Sequence, residues 1–276
     1  MAGPQTVSLS GNTDIDALLT GYRWDTSNLT YSFPDSGWWY VLEQVADELD
    51  VVDVVGVLAD WLSNPTASLI NLLQEAVLGP FGDTAIIAIV ALNGFDEFNA
   101  AQQAAAKFGV QNVAAVSLVT FNEVDEGDFT VDLIPILDGD GLDFGFTHGV
   151  IRFAETDSTS APAFESVEIL IGNGFLGDTW YDNDGRFDAP VLGNYAFLTI
   201  MHELGHALGL KHGHESGLFG GNIPEWLGEA LTGVNGPNLP DDKNSLEFSI
   251  MTYRSAINGP DALQAETFGY SQAYDA

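Results

Sequence analysis

The chain has 276 residues, no cysteine, and a formal net charge of -33 from 7 Lys and Arg against 40 Asp and Glu. That charge speaks against nucleic acid and anionic membranes as partners, because both need a face rich in Lys and Arg, and the missing cysteine excludes disulfides, thiolate metal sites and a cysteine nucleophile. An apolar fraction of 46% with 11% aromatics is too high for a disordered chain and suits a domain with a substantial core.

Met1-Ala2-Gly3-Pro4-Gln5 has neither a basic nor an apolar region, so no N-terminal signal peptide is expected. Residues 1–40 are polar and aromatic, and Leu29-Thr30-Tyr31-Ser32-Phe33 alternates up to Pro34, which predicts a strand. Val41, Val45, Leu49 and Val52 recur at three- and four-residue spacing and predict helix over 41–78, broken at Asn64-Pro65 and closed by Gly79-Pro80. The most apolar stretch, 85–92, is too short to span a bilayer. A helix rich in Ala and Gln is expected over 95–108, stopping at Gly109. Strands are expected over 113–123, 130–137, 149–153 and 167–171, and 178–188, which contains Trp180, reads as a polar loop. A helix follows Gly193-Asn194, with Asn194 as its N-cap. Beyond Gly209 the chain reads as loop, apart from a helix over 224–231. No repeat or Pro-rich linker divides it, so residues 1–276 predict one compact domain with a large cleft.

The informative segment is His202-Glu203-Leu204-Gly205-His206-Ala207-Leu208-Gly209-Leu210-Lys211-His212. On a helix, His202 and His206 project from one face, one turn apart, and can reach one small cation. Phe197, Ile200, Met201, Leu204 and Leu208 form an apolar stripe on another face. Gly209 can take the left-handed conformation that ends a helix, so the chain can turn back and bring His212 to the same metal. Three neutral imidazoles leave a fourth position for water, the open arrangement of a catalytic zinc, which lowers the pKa of water to about 7. Glu203, between the helical ligands, is the candidate general base. Three of the five histidines of the chain fall in these eleven residues. The spare ones, His148 and His214, read as surface or hydrogen-bonded residues.

At these residues the chain resembles the metzincin zinc proteases, whose pattern is His-Glu-x-x-His-x-x-Gly-x-x-His followed by a methionine turn. Ser249-Ile250-Met251-Thr252-Tyr253 matches that turn. The resemblance implies that Met251 is a hydrophobic floor beneath zinc. It also implies that Tyr253 is a fifth ligand or an oxyanion helper. Within the metzincins the chain is most similar to the serralysins. The segments that carry this are Gly21-Tyr22-Arg23-Trp24, Leu29 to Phe33, Val150-Ile151-Arg152-Phe153-Ala154, Gly177-Asp178-Thr179-Trp180-Tyr181 and Gly193-Asn194-Tyr195-Ala196-Phe197-Leu198-Thr199. That likeness implies an α+β fold with a twisted mixed β-sheet above an active-site helix (upper subdomain about 1–212) and a smaller C-terminal subdomain below the cleft (about 213–276). It implies a zinc-dependent endopeptidase acting on extracellular proteins, with the substrate extended along an edge strand in the 161–171 region. Type I secretion is implied in the same way.

Serralysins carry Pro after the third histidine, where Gly213-His214 stand here, and no Gly-Gly-x-Gly-x-Asp repeat follows in these 276 residues. The chain is then either part of a longer protein or a short relative. The helical 41–92 segment reads as an insertion: a lid, a docking surface, an inhibitory element or an extra packed hairpin. A latent or non-catalytic zinc-binding relative, with that insertion across the cleft, is the alternative function. Asp138-Gly139-Asp140-Gly141-Leu142-Asp143 and Asp182-Asn183-Asp184-Gly185 have the composition of Ca2+ loops without meeting the EF-hand rule, so Ca2+ at Asp138, Asp140, Asp143, Asp182 and Asp184 stands beside solvated acidic turns. The sequence does not specify the oligomeric state.

Overall fold

The computed structural model describes residues 4–40, 91, 93–126, 129–132, 143–157, 163–165, 177–214 and 237–256. The helices expected over 41–78 and 224–231, the strand over 167–171, and Asp138 and Asp140 lie outside them. In chain order the elements are β1 (Pro4–Thr6), α1 (Thr13–Asp16), β2 (Tyr22–Trp24), β3 (Asn28–Ser32), β4 (Asp96–Glu97), α2 (Ala100–Val116), β5 (Thr120–Glu123), β6 (Phe129–Asp132), β7 (Asp143–Phe146), β8 (Ile151–Thr156), β9 (Ala163–Glu165), β10 (Asp178–Asp182) and α3 (Tyr195–Ala207).

A six-stranded sheet runs β5-β3-β8-β10-β9, with β4 on β8. β3 is parallel to β5 and β8, and β10 is parallel to β8. β9 lies antiparallel to β10, and among the described strands these residues 163–165, part of the expected edge region, stand at the edge of the sheet. Ile151 and Phe153 of β8 and Tyr181 of β10 face a core shared with Phe98, Phe187, Ile200 and Leu204. Arg152 and Trp180 alternate to the other face, where Tyr40 lies 4.5 Å from Trp180 and 4.1 Å from the Arg152 guanidinium. With both faces covered, β8 is buried along its whole length.

Three expectations need correction. The expected polar loop at 178–188 begins with a buried strand, because its polar groups find partners across the sheet. Arg152 donates to Asp178 through Nε (2.7 Å) and Nη2 (2.9 Å), and Thr179 Oγ1 donates to Arg152 O at 3.0 Å. The helix expected over 95–108 is α2, shifted to Ala100–Val116. Asn99 caps it by accepting from Ala101 and Gln102 N–H, while Asn99 N–H donates to the Gln102 side chain at 2.7 Å. It runs through Gly109 because that glycine serves a helix–helix contact. A Cβ there would stand 2.6 Å from Met201 Cε and 3.0 Å from Leu204 on α3. The expected strand over 113–123 therefore shrinks to β5, and the β-branched residues at its start belong to the last turn of α2.

Candidate metal centre

Asn194 starts α3 by accepting from Phe197 N–H at 2.9 Å. Ile200 and Leu204 bury the apolar face, and His202 and His206 stand half-buried on another. At the far end Gly209 has φ +94. Leu210 N–H donates to Gly205 O (3.0 Å) and Gly209 N–H to His206 O (2.8 Å), the pair of bonds that closes a helix on a left-handed residue. The N-terminal segment braces this turn. Thr20 donates to Gly209 O from N (3.1 Å) and Oγ1 (2.8 Å), and Lys211 N–H donates to Leu18 O (2.9 Å). Buried Lys211 Nζ donates to Ala17 O at 2.7 Å, and Trp24 Nε1 donates to Ala207 O at 2.9 Å.

The turn carries His212 back to the helix. The Nε2 atoms of His202, His206 and His212 lie 3.0, 3.1 and 2.9 Å apart pairwise. His202 Nδ1 is 2.7 Å from Ile250 O and His206 Nδ1 is 2.8 Å from Leu210 O. Carbonyls only accept, so each Nδ1 carries the proton and each Nε2 turns a lone pair inward. Converging lone pairs repel unless a cation lies among them. A tetrahedral zinc with Zn–N of about 2.0–2.1 Å sets its nitrogens about 3.3 Å apart, close to what these three adopt. Burial pushes His206 well below the ordinary imidazole range, and the His202 and His212 rings add to it. Burial likewise takes His212 down to about 2, with His202, His214 and Lys211 contributing. Both are neutral at pH 7, as metal ligands must be. Among the described residues this is the one group of three or more His, Asp or Glu side chains whose ligand atoms lie this close together.

The methionine turn packs beneath. Met251 is 1% exposed, and a Cβ on Gly205 would run into its Sδ. Tyr253 Oη lies 2.7 Å from His212 Nε2. Glu203 is 6% exposed on α3. Its charge, after burial, helps push the Tyr181 phenol well above its ordinary value. Asp184 accepts from Arg186 at 2.6 Å and Asp182 lies 3.8 Å from the same guanidinium, so a cation there would compete with Arg186. Asp143 pairs with Asp132 across the β6–β7 hairpin. His148 Nδ1 lies 3.1 Å from Gly149 O. His214, read from sequence as a spare histidine, is exposed, stacks on the His212 ring and lies tilted against Tyr253. Its place two residues after His212 was the one signal that could have drawn attention to it.

A matrixin family model (Peptidase_M10) matches residues 99–219, which hold α2, β5 to β10, α3 and the three histidines of the centre. Serralysin A of Dickeya chrysanthemi is 29% identical over 258 residues, covering 91% of this chain and 45% of that protein. Metallopeptidase AprA of Pseudomonas marginalis is 33% identical over 173 residues, 60% of this chain and 30% of that protein. The chain is a serralysin-like metzincin. Stromelysin-1 of Mus musculus, 33% identical over 97 residues, covers only 35% of this chain and 18% of its own length. The chain spans less than half the length of these curated relatives. The metzincin fold accounts for the mixed sheet over the histidine helix, and zinc is the cofactor that the family and the three imidazoles agree on. No helix among the described residues is long and apolar enough to cross a membrane.

Proposed function

We propose that this serralysin-like metzincin is a zinc endopeptidase that cuts extended polypeptides outside the cell. The observation that carries the reading is the inward convergence of three imidazoles, two of them on the helix that carries Glu203. His202, His206 and His212 hold the metal, and Met251 forms the floor that keeps the turn and helix in contact. Bound zinc supplies Lewis acidity, which polarises a carbonyl and makes water a nucleophile at neutral pH. Glu203 accepts the proton of the attacking water and returns it to the departing amine nitrogen. Tyr253 Oη, beside His212 Nε2, donates to the oxygen that gains charge as the carbonyl becomes tetrahedral. The substrate strand adds alongside β9, the last described strand on that side of the sheet, where backbone groups give affinity without sequence preference. The chain works as one catalytic unit, with 1–212 above the cleft and 213–276 below it.

The test is release of peptides from denatured casein, with and without a zinc chelator, beside Glu203→Ala. Chelator-sensitive activity that falls by about two orders of magnitude or more in Glu203→Ala is expected, the scale of general acid–base contributions. A folded, zinc-loaded sample with no activity would overturn the proposal and favour the latent form, with 41–92 as the segment to delete.

A further inference from the structure

The family's Pro after the third histidine is replaced here by Gly213, followed by His214. Gly213 N–H donates to Met251 O at 3.0 Å, and Leu239 N–H donates to Gly213 O at 2.7 Å. Proline has no N–H and could not make the first bond. A Cβ at 213 would also run into Leu239. The glycine thus draws the chain against the methionine turn, and the residue after it lands on the tyrosine of that turn. The His214 and Tyr253 ring centroids are 4.6 Å apart at 46°, and the His214 and His212 rings 5.3 Å apart at 18°. Tyr253 is also 4.3 Å from the His212 ring. The phenol therefore touches an imidazole of the metal centre and one that is not a ligand, while its hydroxyl points at His212 Nε2.

We propose that His214 is a positioning residue: its exposed imidazole, tilted against the phenol and stacked on the His212 ring, holds Tyr253 turned in towards the three histidines. The proposal rests on the role given to Tyr253 above. For Tyr253 to swing outward its ring must part from His214, so that contact favours the inward state. An aromatic pair of this kind is worth about a three- to tenfold shift in a two-state ratio. No proton transfer at His214 is involved, and any flat ring of similar size at 214 serves.

Copper(II) in place of zinc provides the measurement. A phenolate on copper(II) gives a visible charge-transfer band, and electron paramagnetic resonance counts tyrosine-bound and tyrosine-free copper separately. The copper-loaded 276-residue chain is compared with Tyr253→Phe, His214→Ala, His214→Asn and His214→Phe, each at one copper per chain. The expected result is a band that Tyr253→Phe abolishes. His214→Ala and His214→Asn should raise the ratio of tyrosine-free to tyrosine-bound copper about three- to tenfold. His214→Phe, which keeps a stacking ring, should hold the parent ratio. If His214→Ala does not take up copper, His214→Asn carries the same comparison. A parent protein without the Tyr253-dependent band would show that the phenol does not stand at the metal in the resting protein, and would overturn the proposal at that premise while leaving the oxyanion role of Tyr253 to the activity assay. A band that depends on Tyr253, with the same ratio in the parent, Ala and Asn proteins, would overturn the role of His214 alone. So would a His214→Phe protein as shifted as His214→Ala.

Discussion

Gly209→Ala tests the link between one backbone angle and His212, the proposed third metal ligand. At φ +94 a residue with a Cβ pays about 1–2 kcal/mol for the left-handed conformation. Here the Cβ would also stand 2.5 Å from Tyr22 O, a backbone atom of β2 that cannot rotate away. Separating the two segments breaks the two bonds Thr20 makes to Gly209 O, at about 1 kcal/mol each. The expected loss is about 3–4 kcal/mol, a large part of the roughly 5–15 kcal/mol that holds a domain together. The same shift displaces His212, so zinc affinity should drop about 10- to 100-fold, as when groups that orient a ligand are removed. Gly11→Ala is the control. It has φ +83 but nothing within 4 Å of the added Cβ, so only the conformational term applies and the metal site is untouched. Urea unfolding of the metal-free proteins gives the stability difference, and competition with a chromophoric chelator gives zinc affinity. If Gly209→Ala matched Gly11→Ala in both measurements, the bracing of the turn by residues 18–22 would be irrelevant to the site.

Two further outcomes concern the sheet that packs on the helix. Asp178→Ala leaves the buried Arg152 guanidinium without its bidentate carboxylate and should cost about 3–5 kcal/mol in urea unfolding, whereas Arg152→Met with Asp178→Leu should recover most of it; a single variant within about 1 kcal/mol of the parent refutes this. Glu155 is 3% exposed, and burial, opposed by the nearby Gln102 amide and reinforced by Asp188, Asp96 and Asp184, raises its carboxyl from 4.5 to about 7. Because the folded state holds that proton more tightly than the unfolded chain, the stability it confers is complete below pH 4.5 and lost as pH rises through about 7. Glu155→Gln should remove that decline, roughly 2–3 kcal/mol, and unfolding curves at pH 4.5 and 8 that fall equally in both proteins would contradict it.

The convergence of the three histidines was legible in sequence to an unusual degree because its geometry is mostly local. Four-residue spacing places His202 and His206 on one helix face whatever the rest of the chain does, and a glycine three residues later dictates how that helix ends. The expectations that missed did so where a distant partner decides. Asp178 and Thr179 look like loop residues until Arg152 stands beside them on the neighbouring strand. Gly109 looks like a helix stop until α3 packs against it. His214 is a surface residue as expected, but that its ring meets Tyr253 follows only from the bond of Gly213 to the methionine turn.

By itself, then, the sequence determined the helix, its N-cap at Asn194, the left-handed turn at Gly209 and the three histidines, because short-range backbone sterics and side-chain periodicity act within a few residues. Tertiary structure alone decided which carbonyls take the Nδ1 protons of His202 and His206. The first partner, Ile250 O, lies 48 residues away in the chain, and the second, Leu210 O, depends on how the turn is braced by Thr20. It also decided that Tyr253 would meet His212 from 41 residues on. Such contacts depend on how separate segments pack, and packing is a property of the whole chain that no local pattern encodes.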